Sequence, residues 1–113
     1  MNSRGFVALV SWLLAACSYV EATTVPYTGV PKFDPVDPDT VQVLPSEPAQ
    51  RHDRLGEVVL FISPDPPAPR ADIEERLRKE AAKWGANAVY VVRDVLPPGK
   101  ERQLVGIAIR FRQ

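Results

Sequence analysis

The rhythm of apolar and polar residues changes several times along this chain, and each rhythm predicts a different element. Gly5 to Ala16 is apolar except for Ser11 and carries no charge. From Ser18 to Pro48 the pattern is broken by Pro26, Pro31, Pro35, Pro38, Pro45 and Pro48, which fix their own φ and push the preceding residues towards extended backbone. That stretch predicts an extended, non-helical arm, with strand character only at Val41-Gln42-Val43-Leu44, a patch suited to docking on a sheet edge. Gly56 to Ile62 is β-branched and aromatic and ends in Ser63-Pro64-Asp65-Pro66-Pro67, a strand followed by a turn-rich loop. Ile73, Leu77, Ala81 and Trp84 recur at three- and four-residue spacing and predict a helix over 70–84. Gly85 suits the left-handed position just past its end. A second strand is expected over Ala88–Val95, a turn at Pro97-Pro98-Gly99-Lys100, and a third strand over Leu104–Phe111. In that last strand Val105, Ile107, Ile109 and Phe111 alternate with Gly106, Ala108, Arg110 and Arg112.

These elements predict an α+β fold: a small mixed sheet with one helix packed on one face, spanning 54–113. A domain of that size is near the lower limit for an independent core. One helix covers only one sheet face. Yet Val59, Phe61, Tyr90 and Val92 alternate out of phase with the residues expected beneath the helix, so the second face is also apolar. The expectation is that this face is covered, either by the arm around Val41–Leu44 or by association with a partner or another copy. On the helix, Glu74–Arg78 and Glu75–Lys79 are favourable four-apart pairs and read as a solvated face.

The amino terminus changes the picture most. Arg4 precedes the apolar run of about twelve residues, whereas crossing a bilayer core as a helix takes roughly twenty. The run ends in Leu14-Ala15-Ala16-Cys17, which resembles the lipobox of bacterial lipoprotein precursors, and Cys17 is the single cysteine of the chain. Residues 1–16 are therefore expected to be a signal peptide, and 17–53 a lipid anchor on Cys17 with a proline-rich arm that lifts the domain from the membrane. Acylation (palmitate included) consumes the only thiol, so no disulfide is expected. Removing 1–16 from the 113 residues leaves 97, with 13 basic against 14 acidic side chains once Arg4 is lost. That balance argues against nucleic acid and against a polybasic grip on anionic lipid. Ser18 follows the acylated residue; in the sorting rule of Gram-negative lipoproteins serine there permits release, which implies, for a cell with two membranes, an outer-membrane, periplasm-facing location.

Two stretches carry a further resemblance. Asp39 to Leu44, with Leu55-Gly56-Glu57-Val58, resembles the opening of small bacterial envelope lipoproteins. Ala81-Ala82-Lys83-Trp84-Gly85-Ala86-Asn87-Ala88-Val89 is similar to the signature of the YbjQ-like domains and to the fold of the Rcs stress-sensing outer-membrane lipoprotein. The resemblance implies a β–α–β–β domain behind a lipid anchor and carries over no catalytic residue. The Rcs sensor is built around disulfides, which this mature chain has no cysteines to form.

Candidate chemistry is sparse. His52, the one histidine, stands between Arg51 and Asp53 and reads as a solvated loop residue. Asp34, Asp37 and Asp39 alternate with prolines without the spacing of a calcium loop. Trp84 reads as core, and Arg102, Arg110 and Arg112 as a basic strip on a wet sheet face. No catalytic, cofactor-binding or metal-binding residue is expected, and the one site is lipidation at Cys17. The function this implies is a non-catalytic, membrane-anchored envelope lipoprotein that presents an interaction domain, in envelope assembly or stress sensing. The alternative is a small ligand-binding or hydrolytic lipoprotein, which would need a concave pocket with converging polar groups.

Overall fold

The structure, a computed structural model, describes residues 17–113; the segment assigned to a signal peptide, 1–16, lies outside the described residues. Its centre is a pair of long antiparallel strands, β3 (His52–Ile62) and β5 (Arg102–Phe111), in register from His52 opposite Phe111 to Ile62 opposite Arg102. On one side of β3 lies β1 (Val20–Pro26), antiparallel. Beyond β5 lies β4 (Ala88–Val95), antiparallel, and then β2 (Gln42–Leu44), parallel to β4. The order β1-β3-β5-β4-β2 makes a five-stranded mixed sheet, and α1 (Arg70–Ala82) packs across one face of it. This is the α+β architecture expected.

The arm is where expectation and structure part. Val20 to Pro26 pairs with β3 along its whole length, from Val20 opposite Ile62 to Pro26 opposite Gly56, so the strand begins three residues after Cys17. Val41 is buried and Val43 packs beside it under α1, and Leu44 joins the sheet edge. The stretch 17–53 thus contributes both edge strands, and only its 45–51 loop lies over the second face, at the end where Glu47 meets Tyr90. Between the edges the chain wraps the end of α1, with the Val36 N–H donating to the Ala82 carbonyl at 3.0 Å.

Helix and sheet meet closely because small residues lie between them. A Cβ on Gly106 would come within 2.9 Å of Val89 Cγ2 and 3.3 Å of Leu77 Cδ2, and Ala108 is fully buried. Around them Val58, Leu60, Ile62, Ile73 and Leu77 form the core, each contributing about 1.5–3 kcal/mol by leaving water. The helix stops at Ala82, two residues short of Trp84. Gly85 then takes φ 75°, with its N–H on the Ala82 carbonyl at 3.0 Å and the Ala86 N–H on the Ala81 carbonyl at 3.3 Å. Trp84 therefore lies beyond the helix, its ring across Gly56, where a Cβ would sit 2.8 Å from Cζ3 and Cη2.

Candidate interaction face

The second sheet face is built from the strand positions that α1 does not touch. Register places its side chains in ranks across the strands: Glu21, Phe61, Gln103 and Val95 form the first, and Thr23, Val59, Val105 and Arg93 the second. Val25, Glu57, Ile107 and Tyr90 form the third, with Leu44 beyond. Val59, Phe61, Val105 and Ile107 are partly exposed, and Val25 is 47% exposed. The β4–β5 register shifts between Val91 and Arg93, so Val92 leaves the face on which its position in the alternation would put it and stands 50% exposed.

Below these ranks the face is closed by aromatic rings and the 45–51 loop. His52 makes edge-on contacts with Tyr90 and Phe111 at centroid distances of 6.4 and 6.5 Å. Glu47 reaches down from the loop to accept from both strand neighbours. Arg54 Nη2 donates to its two oxygens at 2.7 Å, the Tyr90 hydroxyl to Oε2 at 3.2 Å, and His52 Nε2 lies 3.2 Å from Oε1. The Arg54 guanidinium holds the Glu47 carboxyl below the usual carboxylate range, against a smaller opposing effect of desolvation. Burial raises the Tyr90 phenol. His52 is thus no solvated loop residue: it opens β3, and its side chain is 9% exposed.

At the opposite end of the face Tyr19 crosses the top of the sheet, its hydroxyl donating to Glu101 Oε2 at 2.5 Å. That hydrogen bond raises the phenol's pKa. The Tyr19 N–H donates to Ser63 Oγ at 3.0 Å, and the Ser63 N–H to the Tyr19 carbonyl at 3.1 Å. The ordered sheet therefore begins at Tyr19, with Cys17 exposed at that same end.

The other residues singled out by sequence are accounted for by local structure. Arg102 chelates Asp94 at 2.7 and 2.8 Å and depresses its carboxyl pKa. Arg110 lies 4.3 Å over the Phe33 ring and donates to the Gly85 carbonyl at 2.9 Å. Arg112 donates to Asp53 at 2.6 and 3.0 Å. The three arginines are therefore committed within the fold and form no free basic strip. Asp37 caps the short 3₁₀ turn Pro38–Thr40, accepting from the Asp39 N–H at 2.9 Å. Among the described residues no three His, Cys, Asp or Glu side chains converge as a metal site would require, and no helix is long and apolar enough to cross a membrane.

Two concavities bear on ligand binding: one of about 650 Å³ is lined by Glu47, His52, Asp53, Arg54 and Arg112, whose charges are paired as Glu47–Arg54 and Asp53–Arg112. The other, a cleft of about 600 Å³, lies between the 26–33 loop and the end of α1, lined by Tyr27, Val30, Phe33, Leu55 and Trp84 with Lys32 and Lys83 at its rim. Its lining holds no carboxylate, imidazole or thiol. Sequence reasoning missed it, because it depends on the arm turning back beside Trp84.

No family model and no curated protein matches this chain. Among solved structures, the chain is similar to the Francisella virulence factor FvfA in its orthorhombic crystal form. The two share 20% identity over 84% of this chain and all of that one, with a TM-score of 0.58. This likeness shows the fold alone.

Proposed function

We propose that this protein is a membrane-anchored, non-catalytic envelope lipoprotein, acylated on Cys17, that presents the open face of its sheet to a protein partner in envelope assembly or stress sensing. The observation that carries the reading is the pairing of two features. A cysteine that closes a signal-like apolar run stands three residues before β1, and the sheet it leads into keeps one apolar face free of any helix. A partly exposed patch of this kind is characteristic of interaction surfaces. The residues that look reactive in sequence, His52 and the three carboxy-terminal arginines, are all occupied in holding the fold together. Ser18 supports outer-membrane residence facing the periplasm.

Incorporation of labelled palmitate tests the anchor: Cys17→Ser is expected to abolish it, and undiminished labelling would overturn the reading. A second reading is favoured by the aromatic cleft beside Trp84, which suits a small apolar ligand with an anionic group near Lys32 or Lys83. Mass spectrometry of the protein purified without denaturation tests it, the expected sign being a stoichiometric small molecule lost on Trp84→Ala.

A further inference from the structure

We infer that the open sheet face pairs with the same face of a second copy anchored in the same membrane, the two related by a twofold axis parallel to the strands. The inference rests on acylation of Cys17 and names the partner.

The anchor fixes which symmetry is allowed. Only Ser18 and Tyr19 separate Cys17 from β1. The anchor therefore sits at the end of the sheet where Val20 pairs with Ile62, and Ile62 with Arg102. Two sheets that pack face to face are related by a twofold axis lying in the plane between them. If that axis ran across the strands, the second Cys17 would be carried to the far end of the sheet, about 30 Å away over a strand of β5's length. Both lipids can enter one membrane only when the axis runs along the strands.

That axis brings β4 of one copy over β1 of the other, and β5 over β3. The charges then match. Arg93, from the second rank, lies over Thr23 of the second copy, within reach of Glu21 one rank away. The same contact recurs by symmetry. Neither Glu21 nor Arg93 has an ion-pair partner among the described residues, unlike the arginines of β5 and its tail. Between the two ion pairs Val59 meets Val105 of the second copy, and Phe61 packs beside them near the axis. Glu57, on the third rank, lies at the wet border above the Glu47 loop. The bilayer itself is the poorer cover for this face, because Glu21 and Glu57 would be pressed against headgroup phosphates and acyl chains.

Size sets the regime. The first two ranks and the part of the third that the Glu47 loop leaves uncovered measure at most roughly 19 by 20 Å over four strands, or about 400 Å² per copy. A stable interface between free proteins buries about 800 Å² per partner. The contact is therefore one that forms between copies concentrated and aligned by a shared membrane, and not in dilute solution.

The test uses the full acylated chain in its membrane, where Cys17 carries lipid and an introduced cysteine is the single thiol. With a short bifunctional thiol reagent, Val59→Cys is expected to give crosslinked dimer in severalfold excess over Lys79→Cys on the opposite, helical face. Arg93→Glu in the Val59→Cys background is expected to reduce the yield to the control level, and adding Glu21→Arg to restore it. Equal yields at the two positions, or no rescue by the paired charge reversal, would overturn the inference. So would absence of crosslinking with Val59→Cys protected from a water-soluble maleimide in the membrane and reactive in detergent, which would assign the face to the bilayer. Intact mass read on the same samples separates the two levels of argument. Acylated protein that does not crosslink defeats the pairing alone, while protein without an acyl group defeats the lipoprotein reading.

Discussion

Gly85 holds φ 75°, and a Cβ there would meet the Asp34 carbonyl and Phe33 Cβ, both at 2.6 Å. The helix terminus and the returning arm are therefore joined at one residue that only glycine suits. Gly85→Ala is expected to cost about 1–3 kcal/mol, read as a fall in Tm of roughly 4–8 °C per kcal/mol in thermal unfolding. This site was legible, because a glycine after the last periodic residue is a strong terminus signal. His52 was not: nothing in Arg51-His52-Asp53 shows that Tyr90 and Phe111, distant in sequence, flank its ring. Glu47, which meets His52, Arg54 and Tyr90, sits in a proline-bounded segment without periodicity. Its carboxyl pKa is held down by Arg54, so its contribution to stability is complete above the ordinary carboxylate value of about 4.3 and lost as pH falls through the lower folded value. Thermal unfolding between pH 5 and 2 should show Glu47→Gln less stable at the upper end, with the difference narrowing as pH falls.

The same limit appears among the elements. The helix and β3 and β5 follow from periodicity, since they bury residues at regular spacing, while β4, buried continuously over Ala88–Tyr90, follows from its β-branched and aromatic run. β2 follows from four residues of β-branched and apolar character. β1 was hidden because Val-Glu-Ala-Thr-Thr-Val-Pro shows only partly buried Val20 and Ala22 on its inner side, a pattern that a solvated linker shares. What makes it a strand is the waiting edge of β3, a tertiary cause that local sequence does not carry. Removing 18–26 from a non-acylated chain should therefore strip the sheet of an edge and uncover β3. The expected result is a marked fall in Tm with aggregation, followed by light scattering; a shortened chain of unchanged Tm would mean that the pairing contributes nothing to stability. An unstructured arm would have been removable at little cost.

For the whole molecule, the proposed anchor residue Cys17 and the first strand are separated by only Ser18 and Tyr19. Ser18→Asp is expected to shift the protein to inner-membrane fractions on a sucrose gradient, while leaving thermal unfolding unchanged because Ser18 precedes the first paired residue. The open face was half legible, and the cleft beside Trp84 was not legible at all. Alternation identified Val59, Phe61 and Tyr90 as a second apolar set, but the shift at Val92 and the turn of the arm are set by three-dimensional packing.

The direct passage from Cys17 into β1 has a mechanical consequence. A pull on the lipid proposed at Cys17 would enter the protein along the axis of a strand bonded sideways to β3 from Val20 to Pro26. When the body is held at the opposite end of the sheet, the load is shear: the hydrogen bonds along that register share it and must fail together. A strand peeled from its edge would instead lose them one at a time, at much lower force. A tether on Cys17, as proposed, would thus join the domain at its mechanically resistant orientation, where force is borne by the whole β1–β3 register.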